Sequence, residues 1–418
     1  MFESQTEGLV TSGALLEPKR CSSAPEEQRS DASWFGPLVP FLALLLLCIP
    51  GSLAAEGSSR TQNRHSRASL VAQIESQGLD PAEIVFPDTL TEEMRAWLDE
   101  NVKRALSDKE TIDRLLSALT EPGGLGLVYV PGYTGTAEEV FRTRKANCLA
   151  FTHLLIGMSR ELGISAYYVN YELAEQFRRS GDLIVVSGHV SAGYGSGADR
   201  YLLEFGVVVN LDGRRPRPIS DLNALARYYA NRAAELLRAG EAGEALGWAE
   251  TAIRLDPTLV EGWSNLGVAL RRSGRVDEAE QAYLKATEVD PYYHVAYHNL
   301  FALMRFRGQS EAADEILDLL DRRDNRNPFI YLELGDQSLA AKRLEEAGDF
   351  YKRATKVGDE LAETWAARGS WALVSEKVKK ARRWLRKAKG ISPEDPRTVE
   401  LERQLLEFEG VDDVESTP

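Results

Sequence analysis

From Ala226 onward the chain repeats itself every 34 residues, and no other feature of the sequence restricts its fold as strongly. The repeat is clearest at two positions of the register, one small and one aromatic. These are Ala245, Ala279, Ala313, Ala347 and Ala381, and Trp263, Tyr297, Tyr331 and Trp365. A fixed period of this length is typical of a solenoid, in which each unit buries its apolar face against its neighbours. The period predicts five helix-turn-helix units, over residues 226–259, 260–293, 294–327, 328–361 and 362–395.

One unit carries enough of the pattern to suggest a family. Residues 260–293 read VEGWSNLGVALRRSGRVDEAEQAYLKATEVDPYY and resemble the tetratricopeptide repeat. The resemblance rests on Trp263, Leu266, Gly267, Gly274, Ala279, Tyr283, Ala286 and Pro291. It implies that small residues let two helices approach and that aromatic residues fill the space between units. Residues 294–327 fit least well, because Phe301 stands where a small residue is expected, and residues 396–418 are expected to form a capping helix and an acidic tail.

The same resemblance implies that the first helices of the units line a concave groove. The candidate groove residues are Arg271, Arg272, His298 and Arg305. Arginines favour an acidic or C-terminal peptide of a protein partner, because guanidinium groups bind carboxylates through two hydrogen bonds. An ordinary solvated surface is the alternative. His294 and His298 are four residues apart on a predicted helix, but no third ligand is near them in sequence, so neither a metal nor a cofactor is predicted.

Charge argues against a nucleic-acid partner. The formal net charge is −14, and residues 394–418 hold nine acids and two bases, whereas residues 377–389 hold eight bases. Neighbouring blocks of opposite sign are expected to compensate each other on a solvated surface. Because no nucleic-acid motif accompanies the bases, binding to nucleic acid is not predicted.

A second informative stretch, residues 136–172, precedes the repeats. Its apolar residues recur at the spacing of one helix face; they are Phe151, Leu154, Leu155, Met158 and Leu162. We expect a helix that begins at or just before Cys148 and ends at Gly163, followed by a strand over residues 164–171. A thiol in the first turn faces unpaired N–H groups and the positive end of the helix dipole, which lower its pKa. Cys148 is thus a candidate nucleophile, and a small buried apolar residue is the alternative.

A histidine and an acid follow on apolar runs of strand character. Residues 183–192 (LIVVSGHVSA) contain His189, and residues 201–210 (YLLEFGVVVN) contain Glu204. A cysteine nucleophile needs an imidazole to take its proton and a third group to orient that ring. The order along the chain is therefore cysteine, histidine, acid.

These elements together resemble the transglutaminase-like family of papain-type thiol enzymes. The segments AEEVFRTRKANC and MSRELGISAYYV are the most specific, and the resemblance covers residues 81–222. It implies an α+β domain in which Cys148 is the nucleophile, His189 the general base and acid, and Glu204 the group that orients the imidazole. The family's acid is usually aspartate, and glutamate places the carboxylate one methylene further out. Asp212 is the nearest alternative, although it reads as a hairpin-turn residue.

Residues 1–55 are predicted to be a leader and an apolar export segment. Residues 33–55 contain no charged side chain and end in small residues before Glu56. The segment over 34–55 is either a cleaved signal peptide or a membrane anchor: the small residues at its end and its prolines favour the first, and the long acidic leader does not. The body of the protein is then expected outside the cytoplasm, either periplasmic or membrane-anchored. Residues 56–80 read as a flexible linker.

Cysteine usage favours a chemical role for one thiol. Cys21 and Cys48 lie in the leader and export segment, so the exported body carries Cys148 alone and forms no internal disulfide. A free thiol in an oxidising compartment is a liability unless it is buried or used.

Two functions are compatible with the sequence. One is a thiol enzyme of acyl transfer that acts on a carboxamide or peptide bond, with repeats that dock its substrate or partner. The other is a non-catalytic adaptor that acts through its repeats. Cys148 and His189 favour the enzyme, and Glu204 favours the adaptor. Hydrolysis and cross-linking pass through the same acyl-enzyme, so the sequence leaves that choice open.

Overall fold

The computed structural model of the chain describes residues 67–171, 177–180, 183–186, 189–195, 201–203, 217–322 and 327–410. The chain divides into two compact units. The first comprises Met1–Tyr171 and His189–Ala224, and the second comprises Glu172–Gly188 and Leu225–Pro418. Cys148 and a small sheet belong to the first unit, and the helical repeats belong to the second.

The described part of the first unit begins with helices. They are α1 (Arg67–Ser76), a 3-10 turn (Pro81–Glu83), α2 (Glu92–Asn101) and α3 (Asp108–Thr120). The hydroxyls of Thr91 and Ser107 accept hydrogen bonds from backbone N–H groups in the first turns of α2 and α3. Such N-caps satisfy donors that have no partner within the helix, so these two helices begin where the sequence provides a hydroxyl.

Helix α1 corrects the prediction of a flexible linker over residues 56–80. Leu70 and Ile74, one turn apart, are buried, and Arg67 binds the side chains of Asp88 at 2.8 Å and Thr89 at 3.2 Å. The stretch is mostly polar, so its composition indicated a linker although these two positions are apolar. A short helix is marginal alone, but it becomes stable when its apolar face packs on the rest of a domain. Residues 56–66 lie outside the described residues.

Two short strands and a helix bring the chain to Cys148. Strand β1 (Val128–Tyr129) is parallel to β2 (Lys145–Ala146), and α4 (Ala137–Thr143) lies between them in sequence. Helix α4 begins with a capping box, in which Thr136 and Glu139 each accept the other's backbone N–H. Helix α5 (Cys148–Glu161) follows directly after β2.

Helix α5 contacts an antiparallel sheet. The remaining strands are β3 (Tyr167–Tyr171), β4 (Phe177–Ser180), β5 (Leu183–Val186), β6 (His189–Tyr194), β7 (Tyr201–Leu203) and β8 (Arg217–Pro218). Within the described residues the sheet has the order β7-β6-β3-β8, with Tyr171 opposite His189 and Tyr194 opposite Tyr201. Strands β4 and β5 form a separate hairpin in the second unit.

The run from Leu183 to Ala192, which we predicted as one strand, is divided between two sheets. Its first part is β5 and its second part is β6, and the division falls between Val186 and His189. The two intervening residues are Ser187 and Gly188, types that favour turns over strands. Because apolar residues flank these two on both sides, the sequence looks like one continuous strand.

From residue 221 the described chain is almost entirely helical. The helices are α6 (Asp221–Ala239), α7 (Ala242–Leu255), α8 (Val260–Arg272), α9 (Val276–Val289), α10 (His294–Phe306), α11 (Ser310–Arg322), α12 (Pro328–Ala340), α13 (Leu344–Val357), α14 (Ala362–Val374), α15 (Val378–Ile391) and α16 (Pro396–Phe408). Most successive helices contact each other along this series. Their buried residues form three consecutive clusters, so the core of the second unit runs the length of the solenoid.

Glycines at one register position allow the two helices of a unit to approach. A Cβ on Gly267 would lie 2.3 Å from the ring of Tyr283, and a Cβ on Gly335 would lie 2.6 Å from the ring of Tyr351. In residues 294–327 the sizes are exchanged: Phe301 stands at the glycine position and Leu317 at the tyrosine position. Both belong to the same hydrophobic cluster. The large Phe301, which made this unit fit its family least well, is therefore compensated by the smaller Leu317 in the same cluster.

The last helix covers the end of the solenoid. Leu401 and Leu405 of α16 are buried in a cluster with Trp384. Two bases of α15 bind carboxylates at the end of the chain: Lys389 binds Glu402 of α16 at 2.7 Å, and Arg382 binds Glu409, the C-cap of α16, at 2.8 Å. These ion pairs join the basic and acidic blocks of the sequence.

Within residues 67–410, apart from the gaps named above, no helix is both long and apolar enough to cross a membrane. The predicted export segment over 34–55 lies outside the described residues.

Candidate thiol site and repeat groove

Cys148 is the first residue of α5, and the residue before it fixes the start of this helix. The Asn147 side chain accepts a hydrogen bond from the Ala150 N–H at 2.9 Å and donates one to the Thr134 hydroxyl at 2.7 Å. Its backbone N–H donates to the carbonyl of Tyr133 at 3.1 Å. Asn147 is 7% exposed, so these bonds are shielded from water. The position of Cys148 is thus determined by a buried cap that also binds the preceding loop.

Strand β6 meets α5 at Cys148. The thiol is hydrogen-bonded to the backbone of Val190, and the Thr152 hydroxyl lies 2.7 Å from the Cys148 carbonyl oxygen and 3.2 Å from the Val190 carbonyl oxygen. His189 precedes Val190, so its backbone lies one peptide unit from the group that contacts the thiol. The side chain of His189 lies outside what the structure describes. The fold therefore brings the predicted nucleophile to the strand that carries the predicted base.

The protonation of Cys148 differs from the lowered pKa that its place in the helix suggested. Burial raises the pKa of the Cys148 thiol, and hydrogen bonds to the backbones of Val190 and Leu149 lower it by less. No acidic residue stands in the first turn of α5. The helix N-terminus alone does not overcome the loss of hydration, because a charged thiolate is costly in an apolar surrounding. A base nearby would favour ionisation of this half-buried thiol.

The third member of the predicted triad is not placed. Strand β7 ends at Leu203, and both Glu204 and the alternative acid Asp212 lie outside the described residues. Their roles stay predictions. Within the part of the chain that the structure describes, no group of three or more His, Cys, Asp or Glu side chains is arranged to hold a metal ion.

Sequence reasoning missed the polar contacts that surround the thiol. Asn147, Thr152 and His153 are single polar residues, and nothing in their sequence spacing indicates these contacts. His153 is 1% exposed, and its Nδ1 lies 2.7 Å from the Tyr168 hydroxyl. Burial lowers the pKa of His153 to about 3, with smaller effects of Asp221, which raises it, and Arg160, which lowers it. The low pKa makes this imidazole a weak base, and its contact with Tyr168 ties α5 to β3, so His153 is unsuitable as the base of the thiol site.

The predicted groove residues lie on α8 and α10, the first helices of two successive units. Arg272 donates to the carbonyl of Leu237 in the preceding unit. Arg305 donates to the Gln337 side chain in the following unit at 2.6 Å, an uncharged partner that does not cancel its positive charge. His298 is buried within α10, and Arg271 is partly exposed. Two of the predicted groove residues thus join one unit to the next.

Two families match the chain. Residues 95–195 match the transglutaminase-like superfamily, and residues 260–293 match the tetratricopeptide repeat. The first match includes Cys148 and His189 and ends before Glu204. Both resemblances are thereby confirmed, as is the predicted class of an α+β transglutaminase-like domain followed by an all-α solenoid.

Single proteins match the repeats over short segments. The chain is 41% identical over 75 residues, 18% of its length, to the small glutamine-rich tetratricopeptide repeat-containing protein 2 of Mycosarcoma maydis, 21% of which is covered. It is 42% identical over 65 residues to the protein of the same name in Saccharomyces cerevisiae, covering 16% of this chain and 19% of that protein. The chain thus spans about a fifth of the length of the curated relatives that it matches.

Among solved structures, the chain is similar to PilF of Pseudomonas aeruginosa, with 16% identity and a TM-score of 0.37 over 44% of this chain and 84% of that one. It is also similar to a thermophilic tetratricopeptide-repeat protein of Thermus thermophilus, with 21% identity and a TM-score of 0.36 over 43% of this chain and 99% of that one.

Proposed function

We propose that this chain, which joins a transglutaminase-like domain to a tetratricopeptide-repeat solenoid, is an exported thiol acyl-transfer protein that binds a protein or peptide through its repeats. The proposal is carried by one observation: β6, which begins at His189, meets α5 beside Cys148, where the Thr152 hydroxyl lies 2.7 Å from the Cys148 carbonyl oxygen and 3.2 Å from that of Val190, the residue after His189. A thiol whose pKa is raised by burial is a poor nucleophile alone, and an imidazole next to it supplies what it lacks.

In the proposed reaction His189 takes the thiol proton, and the Cys148 sulfur attacks the carbonyl carbon of a carboxamide or peptide bond. The tetrahedral intermediate collapses to a thioester as the C–N bond breaks, and His189 returns the proton to the leaving amine. Water or a second amine then attacks the thioester, giving a carboxylic acid or a new amide and restoring the thiol. Glu204 is proposed to orient the imidazole.

The test of the thiol chemistry is the pH dependence of Cys148 alkylation by iodoacetamide. If His189 stabilises the thiolate, alkylation at pH 6 should be slowed by about tenfold or more in His189→Ala. The thiolate fraction falls further than that, but a more basic thiolate is intrinsically more nucleophilic and recovers part of the loss. Glu204→Gln should lower the reactivity, and Glu204→Asp should preserve or raise it.

A non-catalytic adaptor is the second candidate, and the raised pKa of Cys148 favours it. In that case the wild-type thiol reacts only above pH 8, and at the same rate in His189→Ala and Glu204→Gln. The protein-interaction role of the repeats belongs to both candidates.

The groove is proposed to bind an acidic or C-terminal peptide through Arg271, Arg272 and Arg305; His298, also predicted from the sequence, is buried and is not expected to contact the peptide. The uncharged Gln337 partner of Arg305 supports this, because it leaves the positive charge of that arginine to attract a carboxylate. Fluorescence anisotropy with an acidic peptide that has a free C-terminus tests it. Unchanged affinity in Arg272→Glu and Arg305→Glu would contradict the assignment.

Export by the segment over 34–55 is also a proposal, supported by its uncharged sequence. The body is then periplasmic or membrane-anchored outside the cytoplasm. Cell fractionation with mass spectrometry of the mature N-terminus distinguishes cleavage from anchoring, and full-length protein free in the cytoplasm would rule export out.

A further inference from the structure

We infer that Thr152 is a positioning residue of the thiol site, which holds strand β6, and with it the backbone of His189, at a fixed distance from Cys148. The inference rests on the proposed function and deepens it. It starts from the two contacts of one hydroxyl group, 2.7 Å to the Cys148 carbonyl oxygen and 3.2 Å to the Val190 carbonyl oxygen.

A hydroxyl group has one hydrogen, and both carbonyl oxygens are acceptors. The Thr152 hydrogen must therefore be shared between the two carbonyl groups, one in α5 and one in β6. Without it, both carbonyl oxygens would lose this donor. Thr152 is 2% exposed, so water does not compete for these contacts. The hydroxyl is what makes the close approach of helix and strand favourable at this point.

Other threonines show that the second contact is the informative one. Thr120 and Thr251 each donate to the carbonyl four residues earlier in their helix, at 2.8 and 2.9 Å; Thr120 is exposed and Thr251 is half-buried. That bond is common for threonine inside helices and joins no other element. Thr152 makes the same bond to Cys148 and adds the bond to Val190.

Val190 is thereby held from α5 at two points, by the Thr152 hydroxyl and by the Cys148 thiol. The Cα atom of His189 is about 3.8 Å from that of Val190 across one peptide unit. A displacement of β6 along α5 consequently moves the proposed base relative to the nucleophile. Misplacement by about 1 Å is enough to cost on the order of 100-fold in the rate of a reaction that depends on alignment.

The experiment compares Thr152→Val, which keeps the shape and removes the hydroxyl, with Thr152→Ser, which keeps the hydroxyl. Thr120→Val in the same unit is the matched control, because it removes only a helical bond at an exposed site. Two quantities are measured on the full chain: hydrogen–deuterium exchange of residues 189–194, and the pH profile of Cys148 alkylation by iodoacetamide. Circular dichroism confirms that each variant is folded.

We expect Thr152→Val to exchange faster over residues 189–194 and to lose about tenfold in alkylation rate at pH 6, approaching the profile of His189→Ala. Thr152→Ser should stay within about threefold of wild type in both measurements, and Thr120→Val should match wild type. Exchange in Thr152→Val equal to that of wild type would overturn the inference. So would an unchanged alkylation profile in a protein whose wild-type thiol depends on His189, or a serine variant as impaired as the valine variant.

Failure of the proposed function gives a different result. If the Cys148 alkylation rate is the same in wild type and His189→Ala, the acyl-transfer proposal is rejected. Hydrogen exchange of residues 189–194 still decides whether the Thr152 hydroxyl holds β6 to α5.

Discussion

Two adjacent side chains of α5 bind two different strands of the sheet. The Thr152 hydroxyl contacts the Val190 carbonyl in β6, and His153 contacts the Tyr168 hydroxyl in β3. Apolar packing is non-directional, so an apolar helix face alone does not fix how far a helix slides along a sheet. Buried hydrogen bonds do fix it, because a displaced donor or acceptor would be left without a partner in a dry environment. At the residue scale, the register between α5 and the sheet is set by polar groups within an otherwise apolar face.

Burial of His153 gives a prediction for stability against pH. Its pKa is lowered from 6.5 to about 3 in the folded protein, so below pH 6.5 the unfolded chain binds a proton that the folded chain does not. The free energy of unfolding should therefore fall as the pH is lowered from 6.5 towards 3, by at most about 1.4 kcal/mol per pH unit from this group. His153→Gln keeps an amide able to bind Tyr168 and removes the titration.

Urea unfolding at pH 7, 6, 5 and 4.5 measures the effect in both proteins. Between pH 6 and 4.5 the wild type should lose about 1 to 2 kcal/mol more than the variant. Parallel curves for the two proteins would show that His153 is not neutral in the folded state.

At the scale of elements, periodic signals predicted the structure well and local interruptions did not. The helix that begins at Cys148 and the strand that holds His189 were predicted because their apolar residues recur at the helical and strand spacings. Helix α1 was missed because only Leu70 and Ile74 of a polar stretch are buried. The division between β5 and β6 was missed because apolar residues stand on both sides of it. Neither feature alters a period, and both depend on surfaces supplied by distant parts of the chain.

The pairing of helices within a repeat gives a second prediction. Gly267→Ala should destabilise the solenoid by about 1 to 3 kcal/mol, because the added Cβ would lie 2.3 Å from the Tyr283 ring. Gly247 is the matched control: it also lies inside a helix, but a Cβ added there would meet no packing neighbour within 4 Å. Gly247→Ala should stabilise by roughly 0.5 to 1 kcal/mol, since glycine is a poor helix former.

Combining Gly267→Ala with Tyr283→Leu should cost less than the sum of the two single changes, because the exchange of sizes imitates Phe301 and Leu317 in the next unit. Urea unfolding measures all four variants. Strict additivity would mean that the glycine and the tyrosine are not a packing pair.

At the scale of the whole molecule, the sequence predicted the two kinds of structure and their order, because each has its own periodicity. It did not predict the contacts that complete the thiol site. Asn147, Thr134 and Thr152 are common polar residues without a repeating pattern, and their roles depend on where the chain returns in space. Such single contacts over long sequence separations leave no periodic trace, so a structure is needed to find them.

The end of the solenoid provides the last prediction. Helix α16 buries Leu401 and Leu405 against the last unit, and Arg397 reaches back to bind both oxygens of Asp336 at 3.0 and 2.6 Å. Deletion of residues 396–418 should expose the apolar face around Trp384 and remove about 3 to 6 kcal/mol of leucine burial. The truncated protein should bind the dye ANS, aggregate at lower concentration and melt at a lower temperature.

Point variants separate the effect of leucine burial from the effect of removing the C-terminal residues. Leu401→Ala should cost about 2 to 5 kcal/mol, because Leu401 is fully buried. Leu406, in the same helix, is 43% exposed, and Leu406→Ala should change the stability by less than about 0.5 kcal/mol. Deletion of residues 411–418 alone should leave both the melting temperature and the solubility unchanged. A chain truncated at residue 395 that is as soluble and stable as the parent would contradict this prediction. The last repeat would then need no cap, and the buried leucines would stabilise only α16 and not the solenoid.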